Sequence, residues 1–118
     1  TGVQTCALPI SFTYKVLGQS NPSATTATTL YTVPASTSCV VSTINICNQA
    51  GTAGTFRIAI RPSGAVLAAQ HYLSYDTSIA ANDSISLTIG ITLATTDVIT
   101  VYASSATMSF AAFGSEIT

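Results

Sequence analysis

Every second residue from Ile85 to Leu93 is a branched aliphatic. In SISLTIGITL the side chains of Ile85, Leu87, Ile89, Ile91 and Leu93 alternate with Ser, Thr and Gly without a miss. A period of two is the side-chain repeat of a β-strand, and it leaves a helix with no continuous apolar face. Gly90 falls on the opposite face, where it marks a bulge or a close backbone approach. A chain dominated by such runs has to bury its apolar surface between sheets.

The same signature organises Tyr31–Arg61, YTVPASTSCVVSTINICNQAGTAGTFRIAIR. Val40, Ile44 and Ile46 share one side of a strand from Ser38 to Asn48, and Phe56, Ile58 and Ile60 share one side of a second strand. Between them, Asn48-Gln49-Ala50-Gly51-Thr52-Ala53-Gly54 has the small and polar residues of a turn. The reading is a central β-hairpin with Arg57 and Arg61 pointing outward.

Further strands follow from the same rule. Ser11–Gln19 sets Phe12, Tyr14 and Val16 on one face and Thr13, Lys15 and Leu17 on the other, with Lys15 suited to an edge. Ser20–Thr29 is a polar loop, and Leu30–Val33 is a short strand closed by Pro34. After Pro62-Ser63-Gly64, the segment Ala65–Gln70 is too short for a stable helix and reads as irregular or a single turn. A strand from His71 to Tyr75 precedes a connection over Asp76–Asp83. Val98–Ala103 and Thr107–Phe113 are expected as a last pair, and Gly114–Thr118 as a short closing strand. About seven or eight strands at this spacing predict an all-β, single-domain, two-layer antiparallel β-sandwich. Strand order stays open between a jelly roll and an immunoglobulin-like Greek key.

Thr1–Ile10, TGVQTCALPI, matches the translation of a common sequencing-library adapter. The division expected is therefore a non-native segment over 1–10 and a β-sandwich domain over 11–118. With Cys6 in the adapter segment, Cys39 and Cys47 remain. Eight residues apart on one strand, their Cα atoms lie about 26 Å from each other, whereas a disulfide needs less than ~7 Å. Both are expected as free, packed thiols.

Charge excludes several function classes. Only Lys15, Arg57, Arg61, Asp76, Asp83, Asp97 and Glu116 are charged, 6% of the chain, with a net charge of −1. There is no basic footprint for nucleic acid and no cationic helix for a membrane surface, and no apolar run approaches the ~20 residues of a spanning helix. A Ser/Thr/Ala surface with so little net charge does not repel copies of itself. It suits an assembled or extracellular protein better than a free cytosolic enzyme.

Catalytic chemistry finds no foothold. His71 is the lone histidine, and a nucleophile would need it together with Asp76 or Asp97. Neither Cys39 nor Cys47 sits in a nucleophile turn. Asp76, Asp83, Asp97 and Glu116 fall at strand ends and turns, without the spacing of a glycosidase pair or a calcium loop. No catalytic residue, cofactor or metal ligand is assigned. Tyr72, Tyr75 and Tyr102 are candidates for a sugar-binding face, against the simpler reading that they cap the core with their hydroxyls in water.

From Thr13 onward the chain resembles small β-sandwich virion structural proteins of tailed bacteriophages of aquatic bacteria. YKVLGQS (Tyr14–Ser20), LYTVPAS (Leu30–Ser36), VVSTINICN (Val40–Asn48), FRIAIRPSG (Phe56–Gly64), HYLSYD (His71–Asp76), IAANDSISLTIGITLATTDVITVYAS (Ile79–Ser104) and FGSEI (Phe113–Ile117) carry the likeness. The resemblance implies a non-enzymatic protein of the virion, most simply a capsid-decorating (cement) module. Its implied partners are copies of itself, with a trimer expected, and other virion proteins such as the major capsid protein. The alternative is a tail-fibre or receptor module that binds a glycan.

Overall fold

The computed structural model describes residues 10–118. The adapter-like segment and Cys6 therefore lie outside the described residues, except for Ile10. Nine strands follow in order: β1 (Phe12–Ser20), β2 (Thr28–Thr32), β3 (Ser38–Asn48), β4 (Gly54–Arg61), β5 (Tyr72–Ile79), β6 (Ser84–Leu87), β7 (Ile91–Leu93), β8 (Val98–Ala103) and β9 (Met108–Ile117). Between β4 and β5 the chain makes two short 3-10 turns, Pro62–Gly64 and Ala69–His71.

These strands form two antiparallel sheets. One has the order β1-β9-β3-β6, with β7 also on β3, and the other has the order β2-β8-β4-β5. β6 and β7 both pair with β3, so they are one edge strand interrupted around Gly90. The pairs β1·β9, β2·β8, β3·β6/β7 and β4·β5 are nested like one long hairpin that closes between β4 and β5. Rolling that ribbon puts alternate pairs on opposite sheets and adds the contacts β9·β3 and β8·β4. This is a jelly roll, and it decides between the two strand orders left open by the sequence.

The central hairpin is corrected by this topology. β3 and β4 belong to different sheets, and so do β8 and β9, so each connection is an arch across the sandwich rather than a hairpin. Period-two burial is identical in the two cases. What separates them is whether the apolar faces lie side by side or face each other, and here they face each other across the core. Phe56 of β4 meets Phe110 of β9 edge to face, with ring centroids 6.4 Å apart. Around them Ile44, Ile46, Ile58, Ile99, Val101 and Met108 are completely buried.

Two facial assignments also change, those of Val40 and Ile89, while the expected division of faces on β1 is kept. β3 and β1 each carry an extra residue opposite Phe113 of β9, Ser42 on β3 and Leu17 on β1. A bulge reverses the parity of everything beyond it. Hence Cys39 and Val41 point inward below the bulge and Ile44 and Ile46 above it, while Val40 stays on the outer face. On β1 it is Leu17 that is buried, and Phe12, Tyr14 and Val16 are exposed. On the edge strand, Gly90 adopts a left-handed φ of 59° and turns Ile89 out to 48% exposure. β5 continues three residues beyond the connection point expected at Asp76, ending at Ile79.

Candidate functional site

Two surfaces stand out, one on the outer face of each sheet. On the first sheet, β1 and β9 pair Tyr14 with Ser115, Val16 with Phe113 and Phe12 with Ile117, and Ser115 in turn pairs with Val40 of β3. Paired residues of an antiparallel ladder project to the same side. The result is an apolar stripe of Phe12, Tyr14, Val16, Phe113 and Val40 on the solvent side, with Tyr14 83% exposed. It borders a shallow groove of about 560 Å³ floored by Ser42, Gly114 and Ser115. The bulge at Ser42 is locked by its hydroxyl, which donates to the Phe113 carbonyl at 3.0 Å.

Behind the stripe sits a polar cluster on the inner side. Lys15 Nζ contacts Glu116 Oε1 at 3.0 Å, and the Tyr31 hydroxyl reaches across from β2 to donate to Glu116 Oε2 at 2.6 Å. The Tyr31 hydrogen bond and then the Lys15 one hold the Glu116 carboxyl below the usual range. Burial, followed by the carboxylate, pushes the Tyr31 phenol up, and burial pushes up the neighbouring Cys39 thiol.

On the second sheet, Arg57 of β4 stands opposite Tyr102 of β8. Its guanidinium carbon lies 4.1 Å from the ring centroids of both Tyr75 and Tyr102. Its Nε and Nη2 donate to the two Asp76 oxygens at 2.7 and 3.2 Å. The register slips opposite Arg57, because Phe56 pairs with Thr77 and Ile58 with Ser74. Tyr75 and Asp76 are thus bulged out together, with Asp76 at a left-handed φ of 50°, and both turn toward the guanidinium. Arg57 holds the Asp76 carboxyl low, and donating its hydrogen bonds to that carboxylate raises the Arg57 guanidinium further. Tyr72 meets Tyr75 edge to face at 4.9 Å.

The tyrosines singled out in the sequence are therefore brought together, through a bulge that alternation gives no sign of. The candidate catalytic groups are scattered. His71 accepts the Ala68 backbone N–H on Nδ1 at 3.1 Å. Asp97 accepts the backbone N–H groups of Ser63 and Ala94, and Asp83 accepts that of Ser84. Cys39 is buried on β3 and Cys47 partly so, and both are free thiols. Among the described residues no three His, Cys, Asp or Glu side chains converge on a metal-sized site, and no helix is long and apolar enough to cross a membrane.

No protein-family model matches the chain, and no curated protein does either. The fold does have solved counterparts. A chain from Bacillus endospore appendages, described as a family of disulfide-linked pili, superposes with a TM-score of 0.53. The two are 20% identical over 99% of this chain and 96% of that one. A chain of infectious bursal disease virus, Gx strain, aligns at a TM-score of 0.49 and 11% identity, over 92% of this chain and 31% of its own. At these identities the likeness is one of fold, and it comes from the appendage chain.

Proposed function

We propose that this chain is a non-enzymatic structural subunit of an extracellular particle, a capsid-decorating (cement) protein or a related virion-surface module that works by assembling with copies of itself. The exposed apolar stripe of Phe12, Tyr14, Val16 and Phe113 carries this reading, because a free monomer would leave those side chains in water. The chain has a net charge of −1, so copies meet without strong repulsion. The appendage chain of similar fold is described as part of pili, which supports assembly as a use for such a jelly roll. A homotrimer on the particle surface, seated on the major capsid protein, is the expected arrangement, and multivalent attachment would amplify weak individual contacts.

Light scattering coupled to size-exclusion chromatography tests the assembly. The wild-type chain is expected to run as an oligomer, and the doubly charged variant Tyr14→Lys/Phe113→Lys as a monomer with an unchanged β-sheet spectrum. A wild-type monomer at high concentration would remove the basis for the proposal. Immunogold labelling or cryo-EM of purified particles tests the location. A receptor module on a tail fibre is the second reading, favoured by the tyrosine cluster on the other sheet.

A further inference from the structure

We propose that the corner formed by Tyr72 and Tyr75, on the outer face of the β2-β8-β4-β5 sheet, binds a neutral saccharide, either a pyranose ring or a short chain of such rings. The two aromatic rings meet at 89° beside a shallow groove of about 630 Å³, whose other walls are Leu67, Ala68 and Ala69. Tyr75 is 58% exposed there, so ring surface is available for the C–H face of a sugar.

The platform is held in place before any ligand arrives. Arg57 is clasped between Tyr75 and Tyr102 and tied to Asp76 through two hydrogen bonds. Immobilised contact groups lose little entropy on binding. The left-handed backbone of Asp76 is the local strain that this arrangement retains.

Polarity selects the ligand. Among the described residues, the hydroxyls of Tyr72 and Tyr75, the two tyrosines that line the groove, make no hydrogen bond. A flat apolar partner would bury those groups and leave them short of partners, at a cost in binding. A saccharide offers an apolar face and a rim of hydroxyls that both donate and accept, which matches both halves of the site. Charge narrows the class further. No charged side chain walls the groove, and Arg57 and Asp76 cancel each other beside it. Neither an acidic sugar nor a phosphate gains an unpaired cation.

This surface lies on the opposite sheet from the apolar stripe, so sugar binding and self-association can be lost separately. The test is an NMR titration of the purified chain with glucose, galactose, N-acetylglucosamine and triacetylchitotriose. Saturable shifts are expected at residues 57, 67–69, 72–76 and 102 with at least one of them, with a dissociation constant on the order of 1 mM. Tyr75→Ala should weaken binding roughly tenfold, the loss expected for one aromatic contact. Tyr75→Phe should retain most of the affinity, and Tyr14→Ser should change nothing. Ala69→Glu fills the groove from an exposed position outside the core, and so blocks binding even where Tyr75→Ala fails to fold. The proposal is overturned if no sugar gives saturable shifts at these residues up to about 100 mM. It is equally overturned if Tyr75→Ala and Ala69→Glu leave binding intact, or if they abolish oligomerisation instead, which would make the corner a contact between copies.

Discussion

Asn48 ends β3 with its side chain 1% exposed, and it is satisfied entirely by backbone. Its Nδ2 donates to the Thr52 carbonyl at 2.9 Å and to the Ala80 carbonyl at 3.1 Å, and its Oδ1 accepts the Ala50 N–H at 3.1 Å. One amide thus ties the β3–β4 arch to the loop after β5. In the sequence Asn48 looks like any turn residue, since nothing local shows that two loops meet on it. Asn48→Leu keeps the branching of the side chain but strands the Ala50 N–H, and should lower stability by about 1–3 kcal/mol. A lower urea midpoint with an unchanged denaturant slope would show it. The Glu116 cluster makes a separate, pH-dependent contribution. Its native carboxyl is held low by Tyr31 and Lys15, so the unfolded chain takes up the proton first as pH falls. The stabilisation is therefore present above the ordinary Glu value of about 4.3 and is lost as pH drops through the lower native value. Glu116→Gln should melt at a lower temperature than wild type at pH 7, and the gap should close on acidification below about pH 4. Some acid sensitivity should persist in the variant, because Asp76 is held low by Arg57 in the same direction. A gap between the two melting temperatures that stays constant from neutral to acid pH would show that the cluster contributes no such linkage.

At the level of strands, β9 is the straight member and its two neighbours bend around it. Both bulges sit at the height of Phe113, and Gly114 beside them lets β3 come close. A Cβ on Gly114 would collide with the Val40 carbonyl oxygen, which is backbone and has little room to yield. Gly114→Ala should therefore destabilise by about 1–3 kcal/mol. Gly51→Ala, whose new methyl would meet open space in the β3–β4 arch, should stay within about 0.5 kcal/mol of wild type. Thermal unfolding of the pair checks this, and equal losses would contradict the close-approach account. The same strands show what the sequence could convey. Alternation placed β3 at its observed limits, Ser38–Asn48, and located β8 at Val98–Ala103. It misplaced Val40, because Ser42 is an extra residue that only the partner strand reveals. It ran Ser84–Leu93 as one strand, because Gly90 reads as a gap in side chains rather than a break in direction. It joined β3 to β4 as a hairpin, because burial reports which face is covered and says nothing of which sheet covers it. The tyrosine corner was half legible: the residue types were visible, but their convergence depends on the slip in register opposite Arg57.

Across the whole molecule, the nested pairing places the late strands β8 and β9 in the middle of the two sheets, between strands made much earlier. The outer faces are then set by β1, β9 and β3 on one side and β8, β4 and β5 on the other. Few charges remain to govern contacts between copies. Of the seven charged side chains, four are used in the Lys15–Glu116 and Arg57–Asp76 pairs. Arg61 bonds to the Thr100 hydroxyl and the Ala65 carbonyl, and Asp97 caps two backbone N–H groups. Association through Phe12, Tyr14, Val16 and Phe113 should then depend on apolar burial alone. Raising sodium chloride from about 0.05 to about 0.5 M screens exposed charges strongly, yet the oligomer's dissociation constant should move by no more than about twofold, since there is no interfacial ion pair to screen. Ammonium sulfate at the same ionic strength should tighten it, because excluded salts favour burial of apolar surface. Sedimentation equilibrium across both series separates the cases. Weakening in chloride would point to ion pairs between copies and away from the stripe, whereas indifference to chloride with tightening in sulfate is what an interface built on those four side chains requires.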